Sequence, residues 1–362
     1  MIPDSSILPL TPVICGPTAG GKSDLAVDLA IALRDQHTIR AEIITADAFQ
    51  VYTGLDIGTA KPTPAERRGI PHHLIDLIPN PRPETRDPKP GSPFTLDSWL
   101  TRANQTIAGL RANNILPIVV GGTHLYIKAL LEGLFDGPEP DPQLRAELAA
   151  MDPAARRAEL ERVDPAAAAR IHPNDARRTI RALEVFRQTG VPISARQTQW
   201  DRAQSEKSEV GIGNEKPTPT SDFRPRTSNF QLILLDYPAE ILNPRINARV
   251  KLMMERGLLD EVRSLIEAHA FTPQSREALG YKQLIPIVER SLAANRWPPP
   301  ARDLEDAVEQ IKIETRRFAK NQRTWLRRLS ATPGALTLAA ADRALWVQRV
   351  LHTLLPDRKA PV

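Results

Sequence analysis

Short apolar runs alternate with segments of helical periodicity in the first part of the chain. The run that ends at Cys15 meets a glycine-rich turn, and KSDLAVDLAIAL then places its leucines at helical spacing. AEIITAD, which ends at Asp47, predicts a second strand, and residues 73–78 predict a third. This alternation predicts a parallel sheet with helices on both faces.

The same pattern continues further along the chain. A helix over 94–113 precedes a buried strand at Ile115–Val120, and Thr123–Leu134 then has helical spacing. A last strand is predicted at Phe230–Tyr237, and helices follow to about Leu329. Between these parts the pattern changes to helices that begin at Asp-Pro pairs, without a strand signal.

These changes of pattern predict the domain organisation. We expect a catalytic core, a small all-helical insertion domain, a polar disordered loop rich in Gly, Pro and Ser, and a C-terminal extension. Their bounds are 1–136 with 230–330 for the core, 137–200 for the insertion, 201–229 for the loop and 331–362 for the extension.

Composition adds little to this picture. The 362 residues are 41% hydrophobic and 25% charged, with a formal net charge of +5, which suits two domains or one domain with a large insertion. The single cysteine, Cys15, is expected to be a buried strand residue in a reducing cytoplasm. No apolar stretch is long enough for a membrane span, so we expect a soluble, unprocessed, cytoplasmic protein.

The glycine-rich turn reads GPTAGGKS and fits the pattern G-x-x-x-x-G-K-[ST] at every position. Backbone N–H groups of such a turn surround a diphosphate or triphosphate, Lys22 reaches the terminal phosphates, and the Ser23 hydroxyl can bind Mg²⁺. The fold class expected is therefore α/β, with a P-loop NTPase-like parallel sheet. The predicted diphosphate- or nucleotide-binding residues are Gly16, Pro17, Thr18, Ala19, Gly20, Gly21, Lys22 and Ser23.

The strand ends favour transfer over hydrolysis. Water-splitting enzymes of this class usually carry an acidic residue after a further strand, but here the strand ends in Gly121–Gly122–Thr123. The acid at a strand end is instead Asp47, a candidate general base or a ligand of Mg²⁺ through water. The alternative for Asp47 is a helix or turn cap.

Other polar residues have less determined roles. Asp56, Thr59 and Lys61 lie in a loop expected to border the same site. The pair His72–His73 suggests a metal site, against the alternative of ordinary, partly buried histidines.

Two basic helices indicate a polyanionic partner. Residues 170–187 contain five arginines against two acidic residues, and 311–329 contain seven lysines or arginines against Glu314. The alternative for either helix alone is a solvated basic face, but together they favour a polyanion larger than a nucleotide. Arg245 and Arg249, one helical turn apart, either reach leaving phosphates or form salt bridges on a surface helix.

Seven motifs in this order carry a family resemblance that runs from about Val13 to Arg328. They are GPTAGGKS, ITADAFQVYTGLDIGTAKP, PHHLID, VVGGTHLYIKALLEG, IHPNDARRTIRALEV, LGYKQ and TRRFAKNQRTWLRR. Together they resemble the bacterial tRNA dimethylallyltransferases, also called tRNA isopentenyltransferases or IPP transferases. The resemblance implies transfer of a dimethylallyl group from dimethylallyl diphosphate to the N6 amine of adenosine 37, beside the tRNA anticodon, with Mg²⁺ and release of diphosphate.

The resemblance also implies residue roles. Asp47 is the expected general base, Lys22 and Arg249 are the other expected catalytic residues, Arg249 stabilises diphosphate with Arg245, and Thr123 lines the entry to the reaction channel. The protein is expected to act as a monomer on the tRNA anticodon stem-loop. The expected tRNA contacts are Asp47, Ala48, Phe49, Gln50, Thr123, Arg145, Arg177, Arg178, Thr179, Ile180, Arg181, Glu277, Ala278, Leu279, Gly280, Tyr281 and Lys282.

Four positions depart from the pattern of the family. Ala48 stands where Ser is usual, His124 where Gly or a small apolar residue is common, Lys251 for a frequent Asp and Asn321 for a frequent basic residue. Prenyl transfer to free adenine nucleotides, a P-loop kinase and a nucleotide-dependent RNA-binding protein remain the alternatives.

Overall fold

The computed structural model describes residues 8–79, 94–134, 137–196 and 229–356. Apart from residue 229, the loop predicted to be disordered lies outside the described residues. The chain divides into two compact units. We call residues 1–131 with 226–362 the sheet unit, and residues 132–225 the helical unit.

The strands of the sheet unit form one parallel sheet in the order β3-β2-β4-β1-β5-β6. Their bounds are β1 Thr11–Cys15, β2 Ala41–Ala46, β3 His72–His73, β4 Leu116–Gly121, β5 Phe230–Asp236 and β6 Leu336–Ala339. The predicted α/β fold with a parallel sheet is confirmed, and the carboxyl ends of all these strands meet at one edge.

The helices of the sheet unit connect and cover these strands. Their bounds are α1 Lys22–His37, α2 Pro64–Arg67, α3 Leu96–Ala112, α4 His124–Glu132, α10 Ala239–Glu255, α11 Leu258–Glu267, α12 Tyr281–Ala293, α13 Ala301–Leu329 and α14 Trp346–Leu354. Short 3₁₀ helices lie at Ser275–Glu277 and Ala340–Leu345.

The third and last strands differ from the prediction. Only His72–His73 pairs with β2, because Leu74 and Asp76 have φ of 59° and 55°, which ends the extended chain. The strand at Phe230 is not the last one, since β6 pairs with β5 and falls within the predicted C-terminal extension. Strand β6 has only four residues, which are too few to give a distinct apolar pattern.

The core of the sheet unit lies between the sheet and its helices. Buried residues of β1, β2, β4 and β5 pack with α1, α10 and α14 in one hydrophobic cluster. Cys15 is fully buried in β1, as predicted, and burial raises the pKa of its thiol to about 12. The thiol is therefore protonated at neutral pH and has no nucleophilic character.

The helical unit contains short helices around its own small core. Their bounds are α5 Pro142–Ala150, α6 Pro153–Val163, α7 Pro165–Arg170, α8 Ala176–Thr189 and α9 Ile193–Arg196. Asp141, Asp152 and Asp164 cap three of these helices, each followed by a proline at the first helical position. Its core residues are Leu148, Leu160, Ala167, Ala168, Ala182, Leu183, Val185 and Ile193.

Within the described residues, no helix combines the length and the apolar character needed to cross a membrane.

Candidate active site

The phosphate loop, Gly16–Ser23, joins β1 to α1 at the carboxyl edge of the sheet. Gly20 N–H donates to Pro17 O at 3.1 Å, and Gly21 has φ of 81°, a conformation that favours glycine. In the described part of the chain, the N–H groups of Gly21, Lys22 and Ser23 have no protein acceptor. Open N–H groups at the start of a long helix are suited to phosphate oxygens.

The side-chain amide of Gln322, on α13, links the phosphate loop to the end of β4. Oε1 accepts from Thr18 N–H at 2.8 Å, and Nε2 donates to Gly122 O at 2.9 Å. A Cβ at position 122 would lie 2.7 Å from this Nε2, so Gly122 leaves the room that the amide needs. Because Thr18 N–H is already bonded, the open donors of the loop begin beyond Thr18. Gln322 lies within the motif TRRFAKNQRTWLRR, but no periodicity or charge pattern indicates this role for a polar residue at a buried position of a basic helix.

Lys22 and Arg249 place two positive charges at the loop. Loss of water around Lys22, together with the charge of Arg249, lowers the pKa of the amino group to about 8. Loss of water also lowers the pKa of Arg249, although the Asp47 carboxylate acts in the opposite direction. Two partly dehydrated cations that repel each other are stabilised by a bound anion. The structure thus brings Lys22 and Arg249, far apart in the sequence, within electrostatic range of Asp47.

Arg245 contacts the backbone of the phosphate loop. Its Nε donates to Ala19 O at 2.8 Å, and its guanidinium carbon lies 5.6 Å from the ring centre of Tyr237. Arg245 therefore braces the loop from α10, and its contact with diphosphate stays a prediction.

Asp47 follows β2 at the same edge of the sheet. Its Oδ1 accepts from Phe49 N–H at 2.9 Å and from Gln50 N–H at 3.2 Å. The side chain thus caps a turn, as the alternative interpretation expects. Oδ2 accepts no hydrogen bond from the described residues, so capping leaves one carboxylate oxygen to act as a base.

Thr123 lies next to the turn that follows β2. Its Oγ1 accepts from Ala48 N–H at 3.2 Å, and its own N–H donates to Ala46 O at 3.3 Å. A Cβ at position 121 would lie 2.1 Å from Ala46 O, so Gly121 permits the close approach of β4 to β2. Ala48 has no hydroxyl of its own, and the hydroxyl that bonds the turn after β2 is that of Thr123.

The loop after Asp47 is braced from inside by Lys61. This buried ammonium donates to Tyr52 O at 2.8 Å, to Asp56 at 2.6 Å and to Asp76 at 2.5 Å. The Gln50 amide donates to Thr59 O at 3.2 Å. Asp56, Thr59 and Lys61 therefore hold the shape of the loop.

Glu261, on α11, holds the same loop from outside. Its carboxylate accepts from Ile57 N–H at 2.9 Å and from the Tyr281 hydroxyl at 2.5 Å. Tyr281 in turn accepts from Gly58 N–H at 3.1 Å, and a Cβ at position 58 would lie 2.4 Å from its ring. Burial raises the pKa of Tyr281 above its usual range, which keeps the hydroxyl protonated.

The tRNA contacts predicted within 277–282 differ in exposure. Ala278 and Tyr281 are buried, whereas Glu277 is exposed. Lys282 forms an ion pair with Glu314 at 2.6 Å. Tyr281 thus contacts the loop after Asp47, and Glu277 presents its side chain to solvent.

His124, a departure from the family pattern, begins α4 beside the phosphate loop. Burial and the charge of Lys22 lower the pKa of its imidazole to about 4, so the ring is neutral at pH 7. Its Nε2 is buried and has no hydrogen-bond partner among the described residues. The ring adds no charge to the site.

The two adjacent histidines both have partners within the protein. His72 Nδ1 lies 2.8 Å from Ile70 O, and His73 Nε2 lies 2.7 Å from a Glu42 carboxylate oxygen. No group of three His, Cys, Asp or Glu side chains suited to a metal occurs in the described ranges. The interpretation as ordinary, partly buried histidines fits these contacts.

In the helical unit, the fully buried carboxylate of Glu184 binds two arginines that were predicted to contact tRNA. Arg145 donates to it at 2.8 Å and 3.0 Å, and Arg181 at 2.6 Å. Burial alone would raise the pKa of Glu184, but bonds from Arg145, Arg181 and Asp141 N–H hold it below its ordinary value. Arg145 and Arg181 thus neutralise a buried carboxylate, and loss of either arginine would leave part of its charge uncompensated.

The start of α8 carries the exposed arginines of this unit. Arg177 and Arg178 are exposed, and Arg178 lies 3.4 Å from an Asp175 carboxylate oxygen. Thr179 is buried and donates to Asp175 O at 2.9 Å, and Ile180 is partly buried against the core. Among the predicted tRNA contacts within 177–181, Arg177 and Arg178 are therefore the exposed side chains that a polyanion can reach.

A family model described as IPP transferase matches residues 50–329, more than three quarters of the chain. The chain belongs to the IPP transferase family. The family predicted from the sequence motifs is thereby confirmed. The match begins just after Asp47.

Relatives of this IPP transferase cover most of its length. The tRNA dimethylallyltransferase of Syntrophobacter fumaroxidans is 38% identical over 94% of this chain and 86% of that protein. A tRNA isopentenylpyrophosphate transferase structure from Bacillus halodurans has a TM-score of 0.58 and 31% identity, with 95% and 96% of the two chains covered. A eukaryotic dimethylallyltransferase acting on tRNA has a TM-score of 0.67 and 26% identity, with 97% and 81% covered.

Proposed function

We propose that this IPP transferase moves a dimethylallyl group from dimethylallyl diphosphate to the N6 amine of adenosine 37 in tRNA. The observation that carries the proposal is one cluster at the carboxyl edge of the sheet. Open loop N–H groups, Lys22 and Arg249 suit a diphosphate, and Asp47 supplies a carboxylate within their electrostatic range. β4 ends in glycine, without the acid typical of hydrolytic P-loop enzymes.

The proposed reaction displaces diphosphate at an allylic carbon. The N6 lone pair forms the new N–C bond, while the C–O bond breaks and its electron pair goes to the diphosphate oxygen. Asp47 Oδ2 takes the amine proton, and the cations of Lys22 and Arg249 stabilise the negative charge of the leaving group. The target adenine leaves its stack to reach this site.

Magnesium fits the residues of the loop. Mg²⁺ sites of this type use one or two protein oxygens together with phosphate oxygens, so a cluster of carboxylates is not needed. Ser23 has the hydroxyl at the first turn of α1 that would contribute such an oxygen. The ion would neutralise charge on the diphosphate, and the protein residues would orient it.

The direct test uses labelled dimethylallyl diphosphate, Mg²⁺ and unmodified tRNA, followed by mapping of the labelled nucleoside. Label on adenosine 37 is the expected result. Parallel reactions with free adenosine monophosphate and with ATP alone test nucleotide prenylation and hydrolysis. Label on the free nucleotide, or ATP hydrolysis without label transfer, would contradict the proposal.

Diphosphate binding should weaken above pH 8. The pKa of Lys22 in the free protein is lowered to about 8, and the protonated amine binds the anion. Affinity is therefore full below this pH and falls as the pH rises, by at most about tenfold for each pH unit. Binding of dimethylallyl diphosphate, measured without tRNA from neutral to alkaline pH, checks this. Lys22→Met should remove the transition; a transition that persists in this variant would assign it to another group.

The tRNA side of the proposal rests on exposed basic residues in both units. In the helical unit these are Arg177 and Arg178. On α13 of the sheet unit, the exposed basic residues within 311–329 are Arg317, Lys320, Arg327 and Arg328. When exposed lysines and arginines bind RNA phosphates, counterions are released from the RNA. The affinity for RNA that these side chains contribute therefore falls as the salt concentration rises.

Charge reversal at Arg177 and Arg178 should weaken tRNA binding. The double variant Arg177→Glu/Arg178→Glu should raise the Kd on the order of tenfold or more at low salt and reduce the slope of log Kd against log salt. Filter binding at several salt concentrations measures both. Arg181 is left unchanged, because reversal there would place a second carboxylate against buried Glu184.

Arg162→Glu, at an exposed position on α6, is the matched control and should change binding less. An unaltered salt slope in the double variant would remove this surface from the tRNA interface.

A further inference from the structure

Arg343 reaches the phosphate loop from the C-terminal end of the chain. It lies in the 3₁₀ helix Ala340–Leu345, which follows β6 at the carboxyl edge of the sheet. Because β6 pairs with β5 and β5 pairs with β1, this helix comes close to the start of α1. Arg343 falls outside the residues matched by the family model and outside the motifs that identify the family.

The guanidinium of Arg343 is held by two contacts and lies beside Gly21. Nη2 donates to Asp24 Oδ2 at 2.8 Å, and it lies 3.3 Å from the position that a Cβ on Gly21 would occupy. The guanidinium carbon is 5.9 Å from the ring centre of Trp346. Trp346 is buried, and its indole N–H donates to Ala339 O at 2.8 Å. Arg343 thus sits over the backbone of the phosphate loop on a fixed aromatic support.

Asp24 is an unfavourable neighbour for a phosphate site. It lies in the first turn of α1, where the positive potential of the helix would otherwise act on a bound anion. Burial lowers the pKa of Lys22 and of Arg249, and the Asp24 carboxylate partly opposes this lowering in each group, so its charge acts on both. A free carboxylate here would repel the diphosphate and reduce the effect of the two cations.

We propose that Arg343 is a positioning residue that neutralises Asp24 and thereby allows the phosphate loop to bind the diphosphate of the prenyl donor. This inference rests on the proposed function. Both side chains are partly exposed, and ion pairs of that kind contribute little to folding stability. In this proposal the pair acts in ligand binding, because Asp24 lies in the first turn of α1 beside the phosphate loop.

The test measures binding of labelled dimethylallyl diphosphate to the full chain without tRNA. Arg343→Ala should raise the Kd on the order of tenfold, leave kcat at saturating donor unchanged, and leave the melting temperature nearly unchanged. The double variant Arg343→Ala/Asp24→Asn should return the Kd to near the wild-type value, because the repelling charge is gone. Arg349→Ala is the matched control: Arg349 pairs with Asp342 at 2.9 Å and has similar exposure, so donor binding should not change.

An unchanged Kd in Arg343→Ala would overturn the inference. A double variant that binds as weakly as Arg343→Ala would also overturn it, since Arg343 would then act on the phosphates directly. Absence of donor binding by the wild-type chain would instead contradict the proposed function, so the two failures are distinguishable.

Discussion

Replacing Asp47 with asparagine should lower kcat by about 10²-fold or more at saturating tRNA and dimethylallyl diphosphate, because Asp47 is the proposed general base. The structure makes this substitution conservative. Asparagine Oδ1 can still accept from Phe49 N–H and Gln50 N–H, so the turn after β2 should keep its shape. The amide nitrogen that replaces Oδ2 cannot take a proton from the adenine amine.

Single-turnover rates and tRNA binding by Asp47→Asn separate chemistry from recognition. We expect the Kd for tRNA to change by less than about threefold, since a neutral isostere keeps the shape of the site. Asp236→Asn is the control, because Asp236 is an exposed carboxylate at the end of β5 on the same sheet edge. Full turnover by Asp47→Asn would remove the general-base role and leave Asp47 as a turn cap.

Lys22→Met should reduce kcat/KM for dimethylallyl diphosphate by about 10²- to 10³-fold, because a cation at the leaving group contributes most in a site poor in water. Steady-state kinetics with varied donor and saturating tRNA measure the loss. Lys251→Met is the matched control, since Lys251 is exposed and pairs only with Glu255 at 3.6 Å among the described residues.

A second readout of Lys22→Met is independent of activity. The charge of Lys22 contributes to the low pKa of His124, about 4, so its removal should raise that pKa, while burial keeps it below the ordinary value. Titration of the imidazole by NMR checks the shift. Wild-type kinetics in Lys22→Met would contradict the assignment of the phosphate loop to the prenyl donor.

The sequence predicted the parts of the site that a local pattern determines. The phosphate loop, Asp47 after β2 and the turn at Thr123 follow from a motif or from a strand end, and the structure places them at one sheet edge. Gln322 and Arg343 could not be predicted in this way. Each acts through a partner more than 300 residues away, 304 residues for Gln322 and 319 for Arg343, and no local periodicity encodes such a pairing.

The roles of predicted residues were harder to infer than their positions. Arg145 and Arg181 belong to a basic segment, and their excess charge indicated RNA, yet both bind the buried carboxylate of Glu184. A glutamate at a core-facing position of α8 is visible in the sequence, and Arg181 lies three residues before it on the same helix. Its second partner, Arg145, depends on how α5 packs against α8. Strand β3 ended early for a local reason, the positive φ of Leu74 and Asp76.

The large sequence separation between β1 and its partners on one side of the sheet, β5 and β6, affects how the protein folds. Val13 of β1 pairs with Leu232 of β5, so β1 cannot complete its pairing until β5 has been synthesised. In the same way, β5 cannot pair with β6 until β6 has been synthesised. Pairings of such high contact order form slowly, and until they form the open strand edges can pair with other chains. Gln322 and Arg343 leave the ribosome later than the loop they support. A nascent chain therefore carries the phosphate-loop motif long before Gln322 and Arg343, which contact Thr18 and Asp24, have been synthesised.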